Sequence, residues 1–230
     1  MMHRTVVVVG ASQGIGKELV CRLAENPENK IVAIARYSSD SIPFSELKNV
    51  KAVKLDLSAK DVRVQMESVF TALDTIDVLI NNAGCLINKP FMELAAEDLE
   101  VSYQVNVLGV MQTVQAAVPK MIEKGGHIVN ISSMGGFQGT VKFPGLAAYS
   151  TSKAAVASFT ELFAEEYKET GIKMNCLCLG SVQTEMLEKA FPGFEALVSA
   201  GSMAEYIAEF ALKAHKWMHG RIIPVSLTTP

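Results

Sequence analysis

Basic clusters are the first thing this sequence lacks. Its 230 residues carry a formal charge of −3 and a pI of about 5.9, with Lys and Arg scattered rather than grouped. A chain that tracks a polyanion needs a basic stripe, so nucleic acid is not an expected partner. Long apolar runs are missing too. The run near the start, "VVVVGA", falls far short of the roughly 20 residues that span a bilayer, and it leads into a glycine-rich turn rather than a cleavage site. No membrane partner is expected, and the expected location is the cytoplasm. The four cysteines, Cys21, Cys85, Cys176 and Cys178, show no C-x-x-C spacing. Cys176 and Cys178 lie two apart in a predicted strand, hence on one face, and all four read as reduced structural thiols. Of the four histidines, His215 and His219 stand at i, i+4, but no Glu follows as in H-E-x-x-H and Gly220 ends the helix. No metal site is expected.

What is present is core material. Hydrophobic residues make up 49% and charged residues 20%, enough to exclude a disordered chain. With no linker, low-complexity tract or repeat, the length predicts one domain over residues 1–230. Short β-branched runs ("RTVVVV", "KIVAIA", "VKAVKL", "IDVLIN", "GHIVNIS", "IKMNCLCL", "RIIPV") alternate with helical patterns, the longest over about 95–123 and 148–169. This predicts an α/β fold: a doubly wound parallel sheet of about seven strands with helices on both faces. Such a sheet binds its ligand beyond the carboxyl ends of its strands. Those ends read "GASQGIG", "ARYSS", "LDL", "NNAG", "ISSMGG" and "LGSVQT".

"VVVVGASQGIG" runs from strand through glycine-punctuated turn into helix, which lets backbone approach a pyrophosphate and aims helix N–H groups at it. Its spacing, G-x-x-x-G-x-G, differs from the commoner G-x-G-x-x-G. Gly10, Ser12, Gln13, Gly14, Ile15 and Gly16 are the candidate contacts. At the end of the second strand, where an acid would hold a free ribose hydroxyl, stands Arg36, with Ser38 and Ser39 beside it and no acid before Asp40. A 2′-phosphate would find a guanidinium there, so NADP is expected over NAD.

The motifs "GASQGIG", "NNAG", "NVLG", "IVNISS" and "YSTSK", in this order, resemble the short-chain dehydrogenase/reductase family across nearly the whole chain. The resemblance implies a catalytic tetrad of Asn106, Ser133, Tyr149 and Lys153. Reducing a carbonyl builds charge on its oxygen and needs a donor there together with an acid matched to the working pH. A free tyrosine is too weak an acid by roughly three pKa units, about 4 kcal/mol. Lys153, four residues on and on the same helical face, is expected to lower it. The resemblance further implies that Lys153 and Tyr149 grip the nicotinamide ribose, that Ser133 binds the carbonyl, and that Asn106 holds a water of a proton relay. It assigns Asp56 and Leu57 to the adenine, Asn82, Ala83 and Gly84 to the adenosine side, and Gly180, Val182 and Thr184 to the carboxamide. Ser132, adjacent to Ser133, points to the opposite side and reads as a strand-end hydroxyl.

The chain departs from the family pattern at Val9, where Thr is usual, and at Leu179, where proline usually stiffens the carboxamide loop. Gly135, Gly136, Gly139 and Gly145 suggest a loop able to fold over the pocket, with Phe137, Val141 and Phe143 as walls. A short substrate segment at about 185–203 carries Met186, Leu187, Phe191, Phe194 and Leu197 and no arginine, which suits a small uncharged apolar or aromatic ketone or aldehyde, or the corresponding alcohol. Ala148, Ser152, Ala155 and Phe159 on the Tyr149 helix would permit a homodimer or homotetramer by close helix approach, or would pack on the sheet. Two rivals remain: a 3-oxoacyl-carrier-protein reductase docking through Lys120, Lys124, Lys168 and Lys173, and a non-catalytic NADP-binding sensor or scaffold.

Overall fold

Four consecutive valines, Val6 to Val9, sit in β1 (Arg4–Val9) with side chains alternating to opposite faces, and all four are buried. Only a strand covered on both faces tolerates such a run. The structure, a computed structural model, describes residues 4–36 and 44–227. After β1 come α1 (Gly14–Ala24), β2 (Asn29–Ala35), β3 (Val50–Lys54), α2 (Val62–Thr71) and β4 (Val78–Asn81). Then follow α3 (Ala96–Tyr103), α4 (Gly109–Ala117), β5 (Gly126–Ser133), α5 (Ala147–Glu166) and β6 (Ile172–Leu179). The chain ends with β7 (Val182–Gln183), α6 (Glu185–Ala190), β8 (Val198–Ser199), α7 (Ala200–Lys213) and β9 (Ile222–Val225).

Seven strands form one sheet in the order β3-β2-β1-β4-β5-β6-β9, every neighbouring pair parallel; β7 and β8 form a separate two-stranded ladder. The chain runs outward from β1 to β3, then returns to start β4 on the other side of β1. That reversal opens a crevice between the carboxyl ends of β1 and β4. Val6, Val8, Ile31, Ala33, Ile80 and Val129 point to one face and pack with α1 and α7. Val7, Val9, Val32, Ile34, Leu79 and Ile128 point to the other and pack with residues of α2, α4 and α5. The edge strand β3 alternates instead, with Lys51 and Lys54 exposed, which protects an unpaired edge.

The helical pattern over 95–123 is interrupted. Between α3 and α4, residues 104–108 form a π turn closed by the Gly109 N–H on the Gln104 carbonyl. At the far end of the chain α7 stops at Lys213, and residues 214–216 make a single 3-10 turn, so His215 and His219 do not share a helix face. Cys176 and Cys178 are buried with Met134, Val156 and Ala157. Phe137, partly buried, packs against the same cluster. Among the described residues no helix is long and apolar enough to cross a membrane.

At the end of the sheet opposite the crevice lies His127, 1% exposed. Its Nδ1 meets the Ala211 carbonyl at 2.8 Å and its Nε2 meets the Asn175 amide nitrogen at 2.9 Å. The Asn175 oxygen is taken by the Arg221 N–H, so the amide nitrogen must donate to Nε2. The ring is thereby fixed as the neutral Nδ1–H tautomer. Burial pushes its pKa down to about 4, against a smaller upward effect of the Ala211 hydrogen bond. A base whose pKa is depressed on folding contributes stability above its unfolded value of about 6.5 and loses it as pH falls toward the folded value, here about 3 kcal/mol in all. Denaturant titrations between pH 7 and pH 4 should show this loss, and His127→Gln should remove it. A wild-type profile that is flat over that interval would refute the buried neutral ring.

Candidate active site

The turn after β1 is held by contacts that leave no room for side chains. Gly10 has φ +88° and a Cβ there would lie 2.5 Å from Ala83 Cα; a Cβ on Gly16 would collide with the Gly10 carbonyl. Asn82, just past β4, donates its amide to that carbonyl at 2.8 Å. The glycine turn and the "NNAG" segment are thus one unit straddling the crevice. Gly14, at φ +51°, faces Thr184, whose methyl would be 3.2 Å from a Cβ on Gly14. Thr184 in turn caps α6 by accepting the Leu187 N–H at 3.2 Å. The turn at the N-terminus of α1 and the Thr184 loop therefore flank one groove, and a cradle lined by glycine backbone suits a dinucleotide pyrophosphate.

Around this groove lie the other candidate contacts. Arg36 is exposed at the end of β2, and its charge reaches Cys85, whose thiol burial pushes up while Arg36 pulls it down. Ser38 and Ser39 lie outside the described residues. Asp56 accepts the Ser58 N–H at 2.9 Å, so it caps a turn and keeps one carboxylate oxygen for other partners. Leu57 is buried beneath the π turn, with its carbonyl accepting from Gln104. Val182 buries its side chain in the cluster that also holds residues of α1 and α7, and its strand pairs with β8. Gly180 is anchored to β9 by its N–H on the Val225 carbonyl at 2.9 Å, directly after Leu179, the position at which the family usually has proline.

Asn106, Ser133, Tyr149 and Lys153 converge at the carboxyl ends of β4 and β5. The Ser133 hydroxyl lies close enough to the Tyr149 phenol to influence its titration, and its Oγ accepts the Gly135 N–H at 3.1 Å. Ser132 points the other way and donates to the Lys153 carbonyl at 2.8 Å, which pins α5 to β5. The Lys153 ammonium is 5.9 Å from the centre of the Tyr149 ring and donates to the Ile131 carbonyl at 2.8 Å. Asn106 sits in the π turn, a helix distortion frequent at functional sites. Its side chain accepts the Cys85 N–H at 2.7 Å and donates to the Cys85 carbonyl and to Ser152 Oγ, both at 2.9 Å.

One expectation is corrected by these surroundings. Lys153 was expected to lower the Tyr149 pKa, yet burial raises it, and the Ser133 hydrogen bond opposes that rise. The ammonium is itself only 4% exposed, and burial lowers its pKa to about 8. At neutral pH it keeps its charge. Ser152 was read as a small packing residue, but Ala148 and Ser152 are buried inside the chain, beside Ser102 of α3. Ser152 donates to the Tyr149 carbonyl at 2.7 Å and so couples the Asn106 amide to the tyrosine helix. The signal for it was present in "YSTSK": a hydroxyl three residues after the tyrosine lies on the same helical face.

The glycines after β5 also act otherwise than expected. Cβ atoms at Gly135 and Gly136 would come within 2.7 Å of Ser150 Oγ and 2.6 Å of the Ala154 nitrogen, so this turn packs tightly on α5. Only the later part of the loop, with Val141 and Phe143 half exposed, is free of the core. In the substrate segment Met186, Leu187 and Phe191 are half buried, while Phe194 is 50% and Leu197 86% exposed.

Comparison with known proteins agrees with this arrangement. The family described as short chain dehydrogenase matches residues 4–193. L-2,3-butanediol dehydrogenase of Corynebacterium glutamicum is 35% identical over 197 residues, covering 82% of this chain and 75% of its own. The 3-oxoacyl-[acyl-carrier-protein] reductase FabG of Aquifex aeolicus is 32% identical over 193 residues, covering 81% and 77%. The solved structure of ElxO with NADP bound superimposes with a TM-score of 0.85 at 25% identity, covering 98% of both chains. With its parallel seven-stranded sheet, its glycine turn and a match over most of its length, this chain belongs to the short-chain dehydrogenase/reductase family of oxidoreductases.

Proposed function

We propose that this protein is an NADP(H)-dependent oxidoreductase that interconverts a small, uncharged apolar or aromatic ketone or aldehyde and its alcohol, with Tyr149 as general acid/base. The observation that carries this reading is the buried Lys153 ammonium held 5.9 Å from the centre of the Tyr149 ring, with Ser133 at the adjoining strand end. A binding module has no use for a buried ammonium set beside a partly exposed phenol, which disfavours the sensor reading.

When bound, the nicotinamide supplies or accepts the hydride. Gly10, Ser12, Gln13, Gly14, Ile15 and Gly16 would hold its pyrophosphate, Arg36 the 2′-phosphate, Asp56 and Leu57 the adenine side, and Asn82, Ala83 and Gly84 the floor of the groove. Gly180, Val182 and Thr184 would meet the carboxamide. Ser133 donates to the substrate oxygen as charge develops on it, and Tyr149 gives that oxygen its proton. The tyrosinate left behind faces the Lys153 cation, which stabilises the charged form even though burial in the resting site works against it. Asn106 keeps the π turn in register with α5 through Ser152.

The carrier-protein reading is supported by the FabG relative but weakened by the lysines it would use. Lys120 donates to the Leu73 carbonyl, Lys168 pairs with Glu165, and Lys173 donates to the Thr170 carbonyl. A homodimer or homotetramer in the cytoplasm remains our proposal. Its support has moved from Ala148 and Ser152 to outward-facing Leu108 and Leu162.

Tyr149→Phe should lower kcat about 10²- to 10⁴-fold, the range of a lost general acid. A variant that matches wild type against a panel of small ketones would remove Tyr149 from the mechanism. NADP(H) should bind at least about 10-fold tighter than NAD(H), and Arg36→Ala should erase that gap, since a hydrogen bond to a charged group is worth about 1.5–3 kcal/mol. Tighter NAD(H) binding by the wild type overturns the cofactor assignment. The rate of carbonyl reduction should fall as pH rises through about 8, where Lys153 gives up its proton. A rate unchanged to pH 10 would show that its charge is not needed.

A further inference from the structure

Three rim segments of the site meet at one side chain that neither the tetrad nor the cofactor groove uses. Asn88 lies in the connection from β4 to α3, and its amide nitrogen donates to the Ala190 carbonyl of α6 at 2.8 Å. Its amide oxygen lies against Gly145, where a Cβ would collide with it. The next residue, Lys89, donates its N–H to the Gly145 carbonyl at 3.0 Å, and its ammonium is tied to Asp98 at 2.6 Å on the first turn of α3. Gly145, at φ +84°, precedes α5 by two residues and Tyr149 by four. The loops after β4 and β5 and the segment after β7 are therefore joined across the mouth of the site.

The joint matters most for α6. That helix fully buries none of its side chains; Met186, Leu187 and Ala190 are only half buried, so packing alone holds it weakly. Its last carbonyls lack partners within the helix, as at every helix C-terminus, and Asn88 satisfies the final one from another loop. Phe191, Phe194 and Leu197 follow directly, and their positions depend on where α6 ends.

We infer that Asn88 is a specificity-determining residue: it latches α6 against the Gly145 loop and so limits the site to compact carbonyl substrates. This rests on the carbonyl-reductase reading above. Asn88 touches neither the tetrad nor the groove, so its loss acts on substrate fit and not on proton transfer.

The test compares wild type, Asn88→Ala, Gly145→Ala and the double variant, with diacetyl as the compact ketone and benzophenone as the bulky one. Asn88→Ala should raise KM for diacetyl about 3- to 10-fold, the range one hydrogen bond spans. Its kcat should stay within about twofold, NADPH affinity should not change, and the KM ratio of benzophenone to diacetyl should fall. Gly145→Ala should shift that ratio in the same direction, because the added methyl displaces the amide. In the double variant the second change should add little, as expected for two changes to one contact. Amide hydrogen exchange over residues 187–191 should speed up in Asn88→Ala, whatever the activity. An unchanged KM ratio in an active Asn88→Ala enzyme, or unchanged exchange in that segment, overturns the inference. If wild type reduces no ketone, the carbonyl-reductase reading fails and the exchange measurement alone decides the latch.

Discussion

A lysine ammonium held away from water is the constraint on which the site depends. Lys153 is 4% exposed, and an unpaired buried charge costs several kcal/mol. The chain meets it with the Ile131 carbonyl at 2.8 Å and with the face of Tyr149. Room for it comes from Gly84, where a Cβ would stand 3.4 Å from Nζ and 3.6 Å from Asn106 Oδ1. The charge therefore fixes the end of β5, the first turn of α5 and the "NNAG" backbone relative to one another.

The other buried polar groups extend that constraint outward. Asn81 donates to Asn130 across neighbouring strands at 2.8 Å, and Asn130 donates to Thr160 of α5 at 3.0 Å. Together with the Ser132 bond to the Lys153 carbonyl, α5 is tied to the sheet at two levels about seven residues apart along the helix, at Lys153 and Thr160. A helix held only by apolar contacts can slide or roll, whereas hydrogen bonds in a low-dielectric interior are satisfied at one register. Among the described residues the Asn81 amide oxygen has no hydrogen-bond partner.

Much of this was legible in the sequence because it rests on local spacing. Tyr149 and Lys153 at i, i+4 must share a helical face, and a strand followed by "GASQGIG" must turn sharply into a helix. Seven strand-like runs alternating with helical patterns pointed to the doubly wound sheet. What escaped was what depends on burial and on distant partners. Spacing alone suggested that Lys153 lowers the Tyr149 pKa, but the sign depends on desolvation, which only the packed fold reveals. Ser152 looked like a small packing residue because its partner, Asn106, lies 46 residues away in a π turn that no periodicity announces. The loop after β5 looked free to fold over the pocket along its whole length, while Gly135 and Gly136 bring its first turn hard against α5.

The two ends of the site are specified by different physics. At the cofactor end, backbone atoms approach so closely that Gly10 and Gly16 admit no side chain, and such contacts leave a sequence signature because only one residue type fits. At the substrate end, α6 fully buries no side chain and Phe194 and Leu197 are 50% and 86% exposed, so close packing restricts the residue types there far less. Selection for a substrate there must act through a few weak contacts that position exposed segments, and each is worth little alone. A chain built this way declares its cofactor and its acid through glycines and a buried lysine. Its substrate is written in contacts such as the Asn88 amide on the Ala190 carbonyl, which join residues 102 positions apart and carry no motif.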